Sequence, residues 1–246
     1  FVEFVLAPEN TAFRNEFLPF QRRVARYGLY NSLAQVTLKI GAPGVPDFYQ
    51  GTELWDFSLV DPDNRRPVDY EHRRALLQEL DVALERDGAA AVATRLGGRP
   101  CDDRAKLFVT SVLLRFRRDH LAVFERGSYD PLDVEGSRRE HLVAFARTYG
   151  RQRVLVAVPR LIATVLPDTS LQPLGERVWG DTRIELPQDG PTVYRDVLAQ
   201  HCVRACSGDR AGSPLDDRPR RPRPGQKTLR AADVFQYFPI AFLEGR

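Results

Sequence analysis

The sequence contains 246 residues, of which 43% are hydrophobic and 10% aromatic, so it carries enough apolar material for a buried core. The formal net charge is +3, yet eight basic and three acidic residues lie between Arg204 and Arg230 alone. Nucleic-acid binding usually needs basic residues spread over a folded face, so charge concentrated in one segment argues against it. No run of residues approaches the 18 apolar residues of a membrane-spanning helix.

Apolar periodicity predicts a helix near the start of the chain, over residues 10–40. Asn10 is a suitable N-cap, and Gly41 follows the last periodic position. Pro19 interrupts the pattern, so we expect a kink or two separate helices. The apolar positions at steps of three and four residues predict one stripe on the first part of this helix: Phe13, Phe17, Phe20 and Val24.

An apolar and aromatic run between two glycines, Gly44 to Gly51, follows and predicts a buried strand. Residues 52–67 are polar and aromatic and predict a long ordered loop. Asp69 is expected to cap a further helix, and two more helices are predicted over 89–96 and 105–118. A helix, a strand, a long loop and a helix are the repeat of an α/β fold.

After Gly127 the hydrophobic period changes to that of short strands, which predicts an antiparallel β domain of sandwich type. The predicted division is therefore 1–126 and 127–246. Residues 208–225 form a Pro- and Arg-rich insert, for which we expect disorder and the role of a solvated linker. The predicted strands cover residues 141–147, 153–159, 182–186, 192–198 and 239–243.

The segment with the most chemical information runs from Asp47 to Tyr70 and is here called the connector. It reads DFYQGTELWDFSLVDPDNRRPVDY and interleaves carboxylates with aromatic rings, amides and guanidinium groups. Aromatic rings suit the C–H faces of a pyranose, and the polar groups suit its vicinal hydroxyls. A site built to hydrogen-bond hydroxyls also discriminates well, because a wrong ligand leaves polar groups unpaired.

A purely structural role for the connector is the alternative. Residues 61–64 read Asp-Pro-Asp-Asn and suit a turn, and Arg65 and Arg66 could pair with its carboxylates. A long loop inside a compact domain is more often functional than idle, which favours the binding site slightly. Both interpretations stay open at this point.

The connector and its flanks resemble a known family. The stretch GAPGVPDFYQGTELWDFSLVDPDNRRPVDY is similar to the signature of maltooligosyltrehalose synthases, and its part PGVPDFYQGTE is similar to the eighth-strand region of the wider α-amylase superfamily. Three further segments also fit the family: KLFVTSVLLRFRR (residues 106–118), WGDTRIELP (179–187) and DVFQYFPIAFL (233–243).

The resemblance implies an α/β plus all-β chain, the C-terminal part of a (β/α)8 barrel followed by an antiparallel β-sandwich domain. It implies a cofactor-free isomerase that converts the reducing-end α-1,4 link of a maltooligosaccharide to an α,α-1,1 trehalose link by a retaining mechanism. Substrate-binding roles are expected for Asp47, Gln50, Trp55, Asp61, Asn64, Arg65 and Arg66, with Trp55 bordering a sugar ring.

No catalytic residue is assigned in this chain, because the family's nucleophile and acid/base motifs lie on earlier barrel strands and do not occur here. The chain begins with Phe1 and has no methionine, so we expect a fragment that is inactive alone and whose partner is the N-terminal part of the same enzyme. Unpaired sheet edges of a partial barrel predict self-association.

Two other functions remain alternatives: a non-catalytic α-glucan-binding module and an α-amylase-type hydrolase. His201, Cys202 and Cys206 lack the spacing of a zinc site, so no metal is predicted and free thiols are expected. Free thiols, including Cys101, suit a reducing compartment, which predicts a cytoplasmic protein.

Overall fold

A computed structural model describes residues 1–167, 171–207 and 226–246 of the chain. The predicted insert at 208–225 lies outside the described residues. The first half is helical: α1 (Val2–Leu6), α2 (Thr11–Gly41), α3 (Tyr70–Asp87), α4 (Ala89–Gly97), α5 (Asp103–Asp119) and α6 (Leu121–Arg126). Three short helices follow within the β region: α7 (Ile162–Val165), α8 (Gly175–Trp179) and α9 (Ala231–Val234).

Helix α2 continues through Pro19, so the alternative of two separate helices is wrong, and a kink at Pro19 stays a prediction. Proline removes one donor to the carbonyl of Asn15, but both residues are exposed and water can bond that carbonyl instead. The predicted cap is confirmed, since Oδ1 of Asn10 accepts a hydrogen bond from the Phe13 amide at 3.3 Å. The predicted stripe is not buried in the described residues: Phe17 and Phe20 are 41% and 55% exposed, and the buried side chains of α2 begin at Leu29.

Helix α3 begins where the sequence predicts, because the Asp69 carboxylate accepts the amide N–H of His72 at 2.9 Å. This bond satisfies one of the free amides of the first turn. We expect Asp69→Ala to lower the free energy of unfolding by about 1 kcal/mol and Asp69→Asn to be nearly neutral. Chemical denaturation of the three proteins measures both values, and equal losses in the two variants would contradict the capping role.

The expected buried strand between Gly44 and Gly51 is absent from the described structure. The segment runs as an irregular stretch with no strand beside it, and Val45 is 94% exposed. A strand requires backbone partners along an edge, and the described residues place none there. A (β/α)8 barrel is built from parallel strands, whereas every strand pair in the described residues is antiparallel. The assignment of this segment to a barrel therefore stays a prediction.

The β region contains two antiparallel sheets. Their strands are β1 (Asp130–Pro131), β2 (Val134–Glu135), β3 (Leu142–Tyr149), β4 (Gln152–Pro159), β5 (Arg183–Glu185), β6 (Val193–Asp196), β7 (Cys202–Arg204), β8 (Cys206–Ser207), β9 (Lys227–Arg230) and β10 (Ala241–Gly245). The six-stranded sheet has the order β1-β3-β4-β10-β6-β7, and the four-stranded sheet has the order β2-β5-β9-β8. The five strands predicted from the sequence are confirmed as β3, β4, β5, β6 and β10.

The central strands of the larger sheet bury both faces. In β4, Val154 and Val156 join a core with residues of α2 to α6, whereas Leu155 and Ala157 join a core with residues of the smaller sheet. Successive side chains of a strand point to opposite faces, so one short run serves two cores. The helical part therefore packs directly on the sheet, and the division at residue 127 stays a prediction.

Two buried arginines hold the end of α2. Arg117 of α5 donates to the carbonyls of Ile40, Ala42 and Gly44, and Arg147 of β3 donates to the Gly41 carbonyl at 3.2 Å. The last carbonyls of a helix have no partner inside it, and cations are favoured there. Burial lowers the pKa of both guanidinium groups from their ordinary value. These bonds determine the position from which the connector departs.

No helix in the described ranges combines the length and the hydropathy that crossing a lipid bilayer requires.

Candidate functional site

The start of the connector is held by Lys39 near the end of α2. Its Nζ donates to the Asp47 carbonyl at 2.7 Å and lies 3.9 Å from the centre of the Phe48 ring. Burial lowers the pKa of this amine, and the nearby Asp47 carboxylate opposes that change. The backbone at Asp47 is thereby fixed, while its side chain and that of Gln50 remain exposed.

Arg73 of α3 joins the two ends of the connector. Its guanidinium donates to the Glu53 carboxylate at 3.1 Å, to the Gly51 carbonyl at 2.8 Å and to the Asp69 carbonyl at 3.0 Å. Gly51 has a φ of +88°, and a Cβ there would lie 3.3 Å from Val68, so glycine is required. The connector is therefore a closed loop with a fixed base.

The tip of the connector is a turn with internal ion pairs. Arg65 makes two hydrogen bonds to the Asp61 carboxylate, at 3.1 and 2.9 Å, and Arg66 pairs with Asp63. Asp63 also accepts the Leu59 amide at 2.7 Å. The Arg66 guanidinium holds the pKa of Asp63 below its ordinary value. A purely structural role of this turn requires these contacts. The sugar-binding roles of Asp61, Arg65 and Arg66 stay predictions.

Asn64 sits within the same turn, in a short 3-10 helix from Asp63 to Arg65. Its Oδ1 is buried and has no hydrogen-bond partner among the residues that the structure describes. A buried acceptor of this kind normally bonds water or another polar group. Its predicted role in binding hydroxyls also stays a prediction.

Trp55 lies between the connector and the helical core. Its indole Nε1 donates to the Asp102 carbonyl at 3.2 Å, which fixes the ring at the start of α5, and the side chain is half-buried. The Nζ of Lys106 lies 5.9 Å from the ring centre. Burial lowers the pKa of the Lys106 amine, and Lys39 lowers it further. The tryptophan is thus held firmly but is not sealed inside the core.

A groove of about 830 Å³ separates α2 from the connector. Trp55 and Phe57 line it from the connector, and Arg22 and Arg26 line it from α2. The start of α5 completes the wall, with Asp103 at its first position. This volume lies within the range of small-molecule sites. Of the substrate-binding residues predicted from the sequence, the described lining contains Trp55, and the others lie elsewhere on the connector.

The arginines of α2 were not predicted as site residues. Arg26 donates to the Leu171 carbonyl at 2.9 Å and to Oε1 of Gln172 at 3.3 Å. The sequence offered no signal for this arrangement, because Arg22, Arg26 and the connector meet only through the tertiary fold. From the sequence alone, basic residues on an exposed helix are interpreted as a solvated face.

Carboxyl groups with raised pKa lie away from the groove. Burial raises the pKa of Asp196 to about 7, and burial together with the neighbouring Glu185 raises that of Glu135 to about 7. By contrast, hydrogen bonds from Ser58 lower the pKa of Asp56 in the connector. Ionised carboxylates suit hydroxyl binding, whereas a general acid requires a raised pKa.

The cysteine residues and His201 do not come together as metal ligands. In the three described ranges, no group of three or more histidine, cysteine or acidic side chains has an arrangement that could hold a metal ion. Cys101, Cys202 and Cys206 are free and exposed. Cys101 is distinct from the other two because it lines the groove.

Comparison with known proteins gives a consistent result, although no protein-family model matches the chain. A protein of Mycobacterium tuberculosis H37Rv that is assigned as a maltooligosyl trehalose synthase is 37% identical over 172 residues, which are 69% of this chain and 19% of that protein. The solved maltooligosyltrehalose synthase of Arthrobacter ramosus is 30% identical with a TM-score of 0.67, and the match covers all of this chain and 25% of the enzyme.

A hypothetical maltooligosyl trehalose synthase of Sulfolobus tokodaii is also similar in structure, with 26% identity and a TM-score of 0.52. The match covers 96% of this chain and 23% of that protein. The chain therefore spans about a quarter or less of the length of these relatives.

Proposed function

The chain is a homologue of the maltooligosyltrehalose synthases, and from this premise we propose that it contributes to trehalose-forming isomerisation of a maltooligosaccharide. The reaction exchanges the reducing-end α-1,4 link for an α,α-1,1 link within one substrate molecule. The observation that carries the proposal is sequence identity of 37% to one such protein, together with a connector that presents aromatic rings to a groove of about 830 Å³. The proposed setting is a soluble, cytoplasmic enzyme.

The role of this chain is binding and positioning of substrate. A retaining transglycosylase requires a carboxylate nucleophile and a second carboxyl group that acts as acid and then as base. Three of the connector carboxylates are poorly suited to these roles, because Glu53 pairs with Arg73, Asp61 with Arg65 and Asp63 with Arg66. We assign the reactive carboxylates to polypeptide related to the portion of the relatives that this chain does not match.

Transfer without hydrolysis also requires that water be kept from the intermediate while the released sugar turns over. A firmly held wall serves this need better than a mobile loop. In this chain the Arg73 bonds close the connector at its base, and the Asp102 carbonyl holds Trp55. The connector would therefore form one side of the pocket in which the sugar is retained.

A non-catalytic α-glucan-binding module is the second candidate. The observation that favours it is the coexistence of an aromatic-lined groove with connector carboxylates that are already paired. Such a module would bind a maltooligosaccharide with the same residues and release it unchanged.

An activity assay separates these functions. Maltoheptaose is incubated with the chain alone, and with the chain plus a polypeptide corresponding to the unmatched part of the Arthrobacter ramosus enzyme. We expect no trehalose-ended product from the chain alone and measurable product from the mixture. Product from the chain alone would contradict the assignment of the reactive carboxylates to other polypeptide. Binding without product in the mixture would favour the glucan-binding module, and glucose as the main product would indicate a hydrolase.

A further inference from the structure

Lys106 lies on the buried face of α5 and is only 9% exposed. Lysine is almost never buried to this extent unless its charge is paired. Burial lowers the pKa of its amine, Lys39 lowers it further, and the carboxylates of Asp56 and Glu53 oppose the change from a distance. A side chain that only filled space at this position would be more stable as methionine, because a buried charge without a bonded partner is costly. The charge of Lys106 therefore requires an explanation.

We propose that Lys106 is a positioning residue whose ammonium group, rather than its carbon chain, holds Trp55 and the adjoining part of the connector in place. The positioning role follows from the contacts of this chain alone. Its consequence for the isomerisation rests on the proposed function.

Two contacts from the start of α5 hold Trp55. The carbonyl of Asp102, the N-cap residue of α5, accepts the indole Nε1–H at 3.2 Å, and the Nζ of Lys106 lies 5.9 Å from the ring centre. Residues four positions apart lie on one face of a helix, so both contacts come from the same side of α5. The hydrogen bond alone leaves the indole free to pivot about Nε1. An ammonium within roughly 6 Å of the ring centre is attracted to it, most strongly where water is excluded, and this contact opposes the pivot.

The carboxylate that directly follows the tryptophan provides the second argument. Glu53 and Asp63 each pair with an arginine of their own. Among the described residues Asp56 lacks such a pair, and its Oδ1 accepts the amide of Ser58 at 2.9 Å. Hydrogen bonds from Ser58 lower the pKa of Asp56, and the charge of Lys106 lowers it further. Lys106 therefore attracts both the ring and the carboxylate next to it.

Two other cations act on this cluster without replacing Lys106. Arg66 also lowers the pKa of Asp56, but by less than Lys106 does, and its guanidinium is already paired within the turn. Lys39 repels Lys106, yet its own Nζ is bonded to the Asp47 carbonyl at 2.7 Å. Lys106 is thus the cation that remains available to Trp55.

Acrylamide quenching of tryptophan fluorescence tests the role of the charge. The second tryptophan of the chain, Trp179, is 0% exposed and its Nε1 is bonded inside the protein, so the quenchable emission comes from Trp55. We expect Lys106→Met to raise the quenching constant about twofold, because the ring loses its cation, and Lys106→Arg to keep the natural value. Lys227→Met is the matched control and should change nothing, because the Nζ of Lys227 in β9 donates to the Gly190 carbonyl.

The opposite order of the two variants would overturn the proposal. If the carbon chain of Lys106 only fills space, methionine preserves the natural quenching constant and the larger arginine disturbs the ring. Equal increases in both variants, or no change in either, would likewise show that the ammonium does not hold Trp55. Circular dichroism of each variant checks that the fold is retained.

A substitution at Asp56 repeats the test without touching the buried face of α5. Asp56 is exposed, and asparagine can still accept the Ser58 amide. We expect Asp56→Asn to raise the quenching constant about 1.5-fold alone and to add nothing in the presence of Lys106→Met. Asp61→Asn, which removes a carboxylate paired at the tip of the connector, is the control and should leave the constant unchanged. An unchanged constant in Asp56→Asn, or effects that simply add, would contradict the proposal.

The mixture with the complementary polypeptide supplies the functional measurement. We expect Lys106→Met to lower the ratio of trehalose-ended product to glucose about fivefold, because a displaced Trp55 admits water, and to change the KM for maltoheptaose less. If the natural chain forms no product in the mixture, the proposed function fails, and the quenching experiments still decide the role of Lys106. A normal product ratio in a variant whose Trp55 is displaced would overturn the consequence for the reaction and leave the positioning role standing.

Discussion

Replacing Arg147 by methionine is expected to lower the free energy of unfolding by about 4 kcal/mol, because a buried network of hydrogen bonds is lost at once. The side chain is 1% exposed and donates to the carbonyls of Ser128, Gly41, Phe124 and Gly127 at 2.6 to 3.2 Å. These carbonyls belong to the end of α2, to α6 and to the segment that leads into β1. Methionine matches much of the volume but leaves the buried carbonyls of Gly41 and Phe124 without a donor.

Arg115 provides the matched control for this experiment. It lies on α5 and pairs with Asp81 at 2.8 Å, but its side chain is 45% exposed. An exposed ion pair contributes little, so Arg115→Met should change stability by about 1 kcal/mol or less. Urea denaturation followed by circular dichroism measures both variants. A loss in Arg147→Met as small as that in Arg115→Met would show that water replaces the arginine and that the bonds to the helix end are not required.

Local signals in the sequence predicted much of the fold. Asn10 and Asp69 were recognisable as caps because a cap depends on residues only three positions away. The strands of the larger sheet were recognisable as short runs rich in β-branched residues that Gly, Pro or Asp separate, and both faces of the central strands are buried. The strands β7 and β9 were missed although β5 and β6 are equally short, because they lie on either side of the Pro- and Arg-rich insert and share its polar composition.

Non-local features account for the predictions that were wrong or incomplete. The run from Gly44 to Gly51 has the composition of a buried strand, but a strand also needs a neighbour, and composition does not supply one. The stripe at Phe20 was recognisable as apolar, but whether anything covers it depends on the tertiary structure. In the candidate site, the sequence predicted Trp55 and missed Arg26, because the contact between α2 and the connector joins residues far apart in the chain.

The carboxyl group of Asp196 should lower the stability of the fold as the pH rises from about 4 to about 7. This carboxyl group is 1% exposed at the end of β6, where its Oδ1 accepts the amides of Leu198 and Ala199 at 2.7 and 3.2 Å. Burial raises its pKa from 3.8 to about 7 despite these bonds. Between the two values the folded protein binds more protons than the unfolded chain, so each increase in pH favours unfolding. The full loss corresponds to about 4 kcal/mol.

His201 contributes with the opposite sign. Its Nδ1 lies 3.7 Å from Oδ2 of Asp196, its Nε2 lies 3.4 Å from the Asp233 carbonyl, and burial lowers its pKa from 6.5. The unfolded chain therefore binds the additional proton below about pH 6.5, so this group favours unfolding as the pH falls. Glu135, with a pKa raised to about 7, adds a decline of the same sign as that of Asp196.

The substitution Asp196→Asn separates these contributions. The amide oxygen of asparagine can still accept the amides of Leu198 and Ala199, but the side chain no longer titrates. We expect the variant to be more stable than the natural chain at pH 7, and to lose most of the decline between pH 4 and pH 7 while keeping the smaller part due to Glu135. Urea denaturation at intervals across this range gives both profiles. Parallel profiles would show that Asp196 keeps an ordinary pKa in the folded protein, either because His201 is charged beside it or because water reaches the turn.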